Sequence, residues 1–338
     1  AILARHLGSR NMALQDTATD EAGAGPSFRP RRIGHTNIFV GDLDRSMSFY
    51  RDVVGIEEAW RRENICAGFV TNGNTHHDVG MVDIVNPQFH DRRPDLFHVA
   101  FELETQLDLK NGYDRAVAED RPIRFTYDHE ISQSLYTNDP HGTLVEIYAD
   151  TEWRWWEDRY LDRPPERMPN NVWKPGDTPP STDIHYEPDP VFKRVDSALF
   201  HPLRITHMVQ VCEDFEAAYD FYTGFVGLSP RLGGRDDRFA ALGGTCGGRD
   251  LTLFRAAGAR APGFHHHGFV VAEADELERS IARAGAAGIA IESDIDHPAR
   301  RSVVVRDPDG LRCQLYAEGS GGIGDAGAID DDTLLYLV

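Results

Sequence analysis

The chain contains no apolar segment of the length that crosses a membrane. No run approaches the roughly 20 consecutive apolar residues that a transmembrane helix requires. The opening segment, AILARHLGSRNMALQD, meets charged side chains before it could form the apolar centre of a signal peptide. We therefore expect a cytoplasmic protein without a membrane partner.

Basic side chains are few relative to acidic ones. Lysine and arginine total 35, aspartate and glutamate total 55, and the net charge is −20. Such a charge repels phosphate backbones and anionic lipid surfaces, and it favours solubility. Phosphate loops are also lacking, because the turns DPHG and DPDG have no Gly-Lys pair and no following helix. We therefore expect no nucleic-acid partner.

Cysteine is scarce as well. The chain has four cysteines, which are scattered and include no Cys-x-x-Cys pair: Cys66, Cys212, Cys246 and Cys313. This spacing argues against both a disulfide framework and a thiolate zinc site. The cysteines are expected to be reduced thiols in the core.

What the sequence does contain is a set of six positions that recurs at fixed offsets. In the first copy these positions hold His35, His77, His98, His129, Tyr136 and Glu146. Adding 172 to the first two numbers and 168 to the other four gives His207, Arg249, His266, His297, Val304 and Gln314. The flanking segments agree, since HTNIFVGDLDRSMSFYRDVVGI corresponds to HMVQVCEDFEAAYDFYTGFVGL. One four-residue deletion therefore aligns the two copies.

The repeat divides the 338 residues into two modules, each large enough for its own core. Residues 1–31 lack periodicity and are expected to form a poorly ordered arm. The first module spans 32–150 and the second 203–320, separated by a connector at 151–202 that is too aromatic for a flexible linker. The tail, 321–338, ends in the apolar LLYLV and is a candidate to seal a pocket or an interface.

Hydrophobic periodicity predicts an α+β fold for each module. The segment HTNIFV is typical of a strand, DLDRSMSFYRDVVG of an amphipathic helix that ends at Gly55, and residues 109–119 of a second helix. Further strands are predicted near 65–71, 77–85, 97–104 and 134–148.

Three of the repeated positions form a metal-ligand set in the first module. His35, His98 and Glu146 each lie on a predicted strand, where alternation can turn them to one face of a curved sheet. Two histidines and one carboxylate are the ligand set of a non-haem Fe(II) site with open coordination positions. With Fe(II) the site would carry a net charge of roughly +1, which suits an anionic chelating ligand such as a catecholate.

The corresponding set in the second module is altered. His207 and His266 are kept, but Gln314 replaces the carboxylate and Arg249 brings a positive charge to the same region. We therefore expect no metal in the second module, with ligation through the Gln314 amide oxygen as the open alternative. The run of histidines at 265–267 is not expected to be a metal cluster, because alternation turns His266 to one face and its neighbours to the other.

These motifs resemble a known superfamily. The paired modules, the HTN and FHVAFE strands and the DPxGxxxEIY ending look like the vicinal oxygen chelate (glyoxalase/bleomycin resistance/dioxygenase) superfamily. HHDVG and DHEISQSLYTNDP resemble its type I extradiol catechol dioxygenases. The resemblance covers residues 32–150 strongly and 203–318 more weakly. It implies that each module pairs βαβββ-type units in an open mixed β-barrel.

Carried over position by position, the resemblance assigns roles to the first module. It makes the two histidines and the glutamate of the predicted ligand set the iron ligands. His77 becomes the acid–base residue, and His129 and Tyr136 become the pair that hydrogen-bonds the substrate. One departure is clear: the better-known two-module members hold iron in the second module, whereas the intact set here lies in the first.

The activity implied by the resemblance is extradiol ring cleavage, in which O2 is inserted into a catechol or a 2,3-dihydroxybiphenyl-like diol at Fe(II). A homo-oligomer is also expected. Two other classes stay open: a metal-dependent glyoxalase-like isomerase or lyase, and a non-catalytic protein that binds an aromatic ligand. Single residues have ordinary alternatives, with His77 as a surface histidine, His129 as a loop residue and Tyr136 as a plain strand residue. The ligands alone decide neither the ring system nor Fe(II) against Mn(II).

Overall fold

The computed structural model describes residues 25–89, 91–151, 172–258 and 260–338. The first module contains β1 (Arg32–Val40), β2 (Glu58–Arg62), β3 (Ala67–Val70), β4 (Val79–Asp83), β5 (Asp95–Glu102), β6 (Phe125–Asp128), β7 (Ser132–Asn138) and β8 (Leu144–Asp150). The second contains β9 (Pro202–Cys212), β10 (Ser229–Gly233), β11 (Phe239–Gly243), β12 (Leu251–Arg255), β13 (Gly263–Val271), β14 (Ile291–His297), β15 (Arg300–Arg306) and β16 (Arg312–Glu318). The helices are α1 (Leu43–Phe49), α2 (Gln106–Ala118), α3 (Phe215–Phe221), α4 (Ala274–Ala286) and α5 (Asp331–Leu334).

Each module forms one eight-stranded mixed sheet. The strand order is β2-β3-β4-β1-β5-β8-β7-β6 in the first sheet and β10-β11-β12-β9-β13-β16-β15-β14 in the second. Along the chain, each sheet is built from two successive strand–helix–three-strand units. The expected α+β fold of paired βαβββ units is therefore confirmed. None of the described helices is long and apolar enough to cross a bilayer.

The structural repeat follows the two offsets seen in the sequence. The start of α3 lies 172 residues after that of α1, and the start of α4 lies 168 residues after that of α2. The offset changes between β4 and β5, where the connecting loop spans 84–94 in the first module and 256–262 in the second. The first-module loop is therefore the longer one by four residues.

The first helix ends where the sequence predicts. The Asp42 carboxylate accepts a hydrogen bond from the Arg45 amide and caps the start of α1, and a wider helical turn over Tyr50–Val54 extends it. Gly55 then adopts a φ of 90°, which favours glycine. A Cβ on Gly55 would also lie 2.0 Å from the Phe200 carbonyl oxygen, so the close approach of these two segments requires glycine.

The end of the N-terminal arm is packed, contrary to the expectation of poor order over residues 1–31. Phe28 is fully buried, and its amide donates to the Phe225 carbonyl in the second module. Phe200, which stands 172 residues later, is also fully buried and donates to the Val53 carbonyl in the first module. The repeat thus begins before β1, and each module receives a phenylalanine from the segment that precedes the other. Residues 1–24 lie outside the described part of the chain.

Buried carboxylates join the two modules reciprocally. Asp78 of the first module accepts a 2.9 Å hydrogen bond from the Ile205 amide on β9. Asp250, its repeat equivalent, accepts a 2.8 Å bond from the Ile33 amide on β1. Burial raises the pKa of both carboxyl groups, and the hydrogen bonds that they accept oppose this rise. One apolar cluster has members from both modules, and a smaller cluster lies within each module.

The connector is partly described. Trp153, Trp155 and Trp156, which we expect to pack as structural side chains, lie outside the described residues. Trp173 is buried at 7% exposure, and its ring lies 5.8 Å from that of Tyr113. The end of the connector therefore packs on the first module.

The cysteines only partly match the expectation of core thiols. All four are free. Cys212 and Cys313 are buried, but Cys66 is only partly buried and Cys246 is exposed. The spacing of cysteines argues against disulfide pairing but carries no information about burial. The expectation of core thiols was therefore wrong for two of the four residues.

Candidate metal centre

The three central strands of the first sheet bring the predicted ligands together. β1, β5 and β8 are adjacent, and Ala100 of β5 pairs with His35 on one side and with Glu146 on the other. His98 precedes Ala100 by two positions and therefore shares its face of the sheet. None of the three ligand side chains is more than 4% exposed.

The ligand atoms converge on one point. His35 Nε2 and His98 Nε2 lie 3.3 Å apart, and each lies 3.1 Å from Glu146 Oε2. A metal bonded to three donors at about 2.1 Å and at right angles would space those donors about 3.0 Å apart. The donor set and its spacing therefore fit an octahedral metal with three adjacent protein ligands.

The buried residues of the ligand group shift one another's pKa values. Burial alone would raise the pKa of Glu146, but hydrogen bonds from His35 and His98 hold it well below its usual value. Burial lowers the pKa of His35, with Glu146 acting in the opposite direction. An ionised carboxylate beside a neutral imidazole is the protonation state that metal binding requires.

His77 lies beside the ligand group in the cavity. It is 6% exposed, and its ring centroid is 3.9 Å from that of His35. Its Nδ1 lies 2.7 Å from His76 Nδ1, while its Nε2 has no hydrogen-bond partner among the described residues. Burial, with His35 and His76 adding to it, lowers the pKa of His77 well below its usual value. The alternative of a surface histidine is wrong.

A second histidine group overlaps the first. The donor atoms of His35, His76 and His77 also lie within 4.8 Å of one another. This group has no anion to balance a dication, and it shares His35 with the ligand set. The set that contains Glu146 is therefore the better metal site.

His129 and Tyr136 form a pair beside Glu146 of the ligand group. His129 Nε2 lies 3.2 Å from Tyr136 Oη and 4.0 Å from Glu146 Oε1. Burial lowers the pKa of His129 to about 4, and burial together with Glu146 raises that of Tyr136 well above its usual value. The turn that follows β6 is capped by Asp128, whose carboxylate accepts the Glu130 amide. The His129 side chain is thus left to the cavity.

A cavity of about 320 Å³ encloses these groups. Eleven of its lining side chains are apolar or aromatic: Trp60, Ile65, Phe69, Val82, Phe89, Phe97, Phe125, Tyr127, Ile131, Tyr136 and Leu144. Glu146 is the only carboxylate among the described lining residues, and Arg62 is the only arginine or lysine. The site is therefore a largely apolar chamber around a compact polar centre.

Sequence reasoning missed several residues of this wall. Trp60 and Arg62 lie on β2, which the hydrophobic pattern did not predict, and Asn86 and Phe89 lie on the loop at 84–94. A signal for the loop was present, because the four residues that only the first copy has fall within it. Asn37 was also missed as a site residue, although its Nδ2 lies 3.1 Å from His98 Nε2.

The equivalent site of the second module is filled by the chain itself. The Gln314 oxygen lies 2.9 Å from His207 Nε2 and 3.2 Å from His266 Nε2. The Gln314 amide donates at 2.7 Å to the Tyr336 carbonyl, and the Tyr336 ring packs 4.7 Å from that of His266. Arg249, which occupies the repeat position of His77, donates to the Leu337 carbonyl at 3.1 Å. The tail therefore seals a pocket, one of the two roles considered for it.

The orientation expected for the histidine run is partly wrong. The pairing of β13 with β9 shifts register between Phe264 and His266, which breaks strict alternation there. His265 and His266 consequently both approach Tyr336, with ring centroids 5.6 and 4.7 Å away. Only His267 turns to the opposite side, where it meets the first module.

Comparison with known proteins matches this architecture. The family model for the Glyoxalase/Bleomycin resistance protein/Dioxygenase superfamily matches residues 32–147 and 204–315. Catechol-2,3-dioxygenase of Bacillus subtilis (strain 168) is 25% identical over 289 residues, which cover 82% of this chain and 93% of that protein. Biphenyl-2,3-diol 1,2-dioxygenase 3 of Rhodococcus globerulus is 28% identical over 126 residues, or 35% of this chain, and the match spans only 63% of that relative.

A solved structure supports the fold independently. The substrate complex of homoprotocatechuate 2,3-dioxygenase from Brevibacterium fuscum superposes with a TM-score of 0.61 at 18% identity, covering 89% of this chain and 85% of that one. At this identity the likeness establishes the fold alone. The two matched segments of the family model fall on the two described sheets. The chain therefore belongs to the Glyoxalase/Bleomycin resistance protein/Dioxygenase superfamily.

Proposed function

We propose that the protein is an extradiol ring-cleaving dioxygenase that acts on a catechol-type diol. The observation that carries the proposal is the convergence of His35, His98 and Glu146 to spacings of 3.1–3.3 Å inside an aromatic chamber. Two matched relatives are named as a catechol and a biphenyl-diol dioxygenase, which supports the same reaction class. Fe(II) is the metal that we propose for the site.

The metal would supply a Lewis acid that favours ionisation of the diol and a redox centre for the transfer of electrons to O2. The ligands would occupy one side of its coordination sphere and leave the other side to substrate and oxygen. Glu146 would provide the negative charge that retains the metal. In the overall reaction both atoms of O2 enter the ring-opened product, and no external reductant is consumed.

His129 and Tyr136 would hold the diol. Their side chains meet each other at 3.2 Å beside Glu146, so a substrate oxygen near the metal can hydrogen-bond with both. Tyr136 keeps its proton, because burial and the Glu146 carboxylate raise its pKa. It therefore acts as a hydrogen-bond donor to an anionic substrate oxygen.

His77 would act on oxygen. It packs on the His35 ring, whereas His129 and Tyr136 lie near Glu146, so the two sets of groups neighbour different ligand side chains. Its buried Nε2 lacks a partner among the described residues and is available to a reacting atom. A neutral histidine in this place can accept a proton that the diol loses and pass it to reduced oxygen, which helps the O–O bond to break.

One observation disfavours the isomerase or lyase alternative. Glu146 is the only carboxylate among the described residues that line the cavity, and it belongs to the ligand set. No second carboxylate of that lining is left to serve as a base or as a fourth ligand. Non-catalytic binding of an aromatic compound would need the chamber but would give no reason for three converging donors.

The test is oxygen uptake with a panel of diols. The protein is loaded anaerobically with Fe(II) or Mn(II), mixed with catechol or 3-phenylcatechol, and exposed to O2. We expect one O2 to be consumed per diol and a yellow product typical of a conjugated semialdehyde or dienone enolate. A colourless dicarboxylic muconate as the sole product, or conversion of substrate without oxygen uptake, would contradict the proposal.

A further inference from the structure

Some contacts between the two modules occur in equivalent pairs. Asp78 and Asp250 each bind an amide of the other module, and Phe28 and Phe200 each donate to a carbonyl across the boundary. A repeat whose two copies face each other produces such pairs, because each surface meets its own counterpart. A contact that occurs only once is a point at which the two copies differ, as at Gln210 and Asp139, whose repeat equivalents are Ile38 and Asp307.

His267 makes a contact of this kind. Its Nδ1 lies 2.9 Å from Thr36 Oγ1 and its Nε2 lies 3.0 Å from Tyr50 Oη, and all three residues are fully buried. The equivalents of Thr36 and His267 are Met208 and Val99, two apolar residues. The contact between hydroxyls and imidazole therefore has no counterpart across the boundary, where Tyr222, the equivalent of Tyr50, instead bonds Asp139.

Two apolar side chains could fill this space without the desolvation cost that a buried histidine carries. A buried imidazole must have both nitrogens paired, or the fold loses the cost of desolvating them. Burial lowers the pKa of His267 to about 3, so the ring is neutral and has one donor and one acceptor. Thr36 and Tyr50 supply matching hydroxyls, which fixes the orientation of the ring and of both partners.

The contact lies directly behind the metal ligands. Thr36 stands between His35 and Asn37 on β1, and strand alternation puts its side chain on the face opposite to theirs. Tyr50 follows α1, which packs on the same sheet. His267 therefore ties the back of β1 and the end of this helix to one rigid point of the second module.

We propose that His267 is a positioning residue for the metal site of the other module. Through Thr36 and Tyr50 it holds β1 in the place at which His35 Nε2 keeps its 3.1 Å spacing to Glu146. The second module, whose own site is filled by the tail, thereby contributes to the first site. This inference rests on the proposed metal site and adds to it a residue from the module that lacks an intact ligand set.

The test measures metal affinity in three variants of the full chain. His267→Leu removes the hydrogen bonds to Thr36 and Tyr50 and the contact of Nε2 with Cys313 Sγ. Thr36→Val removes one hydrogen bond with little change of shape, and His267→Gln retains a donor and an acceptor. We expect the dissociation constant for Fe(II) to rise about tenfold in His267→Leu, the lower end of the range for groups that orient metal ligands. Thr36→Val should weaken binding in the same direction, and His267→Gln should restore most of it.

A matched control comes from the same interface. Gln210→Leu removes another buried contact between the modules, the 2.8 Å hydrogen bond from Gln210 Nε2 to the Asp139 carboxylate. Asp139 lies seven positions before Glu146 in the sequence. We expect it to lower the free energy of unfolding as His267→Leu does, yet to change the Fe(II) dissociation constant less than twofold. Equal weakening in both variants would reduce the effect to general loosening and would overturn the proposal.

Two further readouts separate positioning from stability. The visible spectrum of the Co(II)-substituted protein reports ligand geometry and should change in His267→Leu but not in Gln210→Leu. Amide exchange of β1 should quicken in His267→Leu even without metal. If the parent chain binds no metal, the proposed function is refuted. If the parent binds metal, and His267→Leu binds it equally tightly with unchanged amide exchange of β1, only the positioning role is refuted.

Discussion

Replacement of Asp307 by asparagine should stabilise the protein above neutral pH. Asp307 lies in the turn between β15 and β16, where its Oδ1 accepts the amides of Asp309 and Leu311 at 2.9 and 2.8 Å. Its buried Oδ2 has no partner among the described residues. In the first module the equivalent Asp139 has its Oδ2 paired with Gln210 and with Tyr222. The second copy thus keeps the carboxylate without half of its partners.

The magnitude follows from the pKa. Burial, with the Asp309 carboxylate adding to it, raises the pKa of Asp307 from 3.8 to about 6. Because the folded state holds the proton more tightly than the unfolded state, stability is highest below pH 3.8 and falls as the pH rises to about 6. A shift of about two units costs up to roughly 3 kcal/mol. Asparagine removes this cost, so Asp307→Asn should exceed the parent by about 1–3 kcal/mol at pH 7.5.

Urea unfolding between pH 4 and 8 measures this difference. The two proteins should have similar free energies of unfolding near pH 4 and should diverge up to about pH 6, and the gap should then stay constant. Asp139→Asn is the matched control, and it should destabilise the protein at neutral pH by about 1–3 kcal/mol because its amide would face the Gln210 amide. A constant gap from pH 4 to 8, or a less stable Asp307→Asn at pH 7.5, would show that Asp307 is not strained by its charge.

The remaining predictions concern metal, chemistry and the tail. Glu146→Ala should abolish retention of Fe(II), as measured by metal analysis after gel filtration, whereas Gln314→Ala should retain one iron per chain; equal loss in both would contradict a single site in the first module. His77→Phe should keep iron and bind catechol normally while turnover falls about 100-fold or more, and turnover at the parent rate would remove His77 from the mechanism. Tyr336→Ala should lower the free energy of unfolding by about 3 kcal/mol, the cost of deleting a buried aromatic ring, without loss of iron; loss of iron would mean that the tail supports the first site directly.

The convergence of the candidate metal ligands was predictable because the repeat is strict. Fixed offsets identified His35, His98 and Glu146, and the pairing of three adjacent strands brings them to one face. The helix end at Gly55 was predictable for a local reason, since a left-handed residue closes the turn. Both predictions depend on sequence patterns that either span a few residues or recur at the fixed offsets of the repeat.

Other features depend on contacts that a local pattern does not contain. The segment EAWRR of β2 lacks the apolar alternation that identifies a strand, so its contribution to the cavity wall was missed. It is an edge strand that is held in place by pairing with β3. Phe28 looked like part of an unstructured arm because its partners lie nearly two hundred positions away. The register shift beside His265 arises from pairing with β9 and leaves no mark in the alternation of its own strand.

The reciprocal reach of Asp78 and Asp250 has a consequence for how such a protein can change. A surface that contacts its own copy is the arrangement found in a two-fold homodimer. In a homodimer one gene encodes both subunits, so a substitution that deletes a ligand deletes it from both sites at once. In a fused pair, glutamine can stand at 314 while Glu146 is untouched. Joining two copies in one chain therefore permits a division of labour, in which one half keeps the reactive centre and the other is free to become its support.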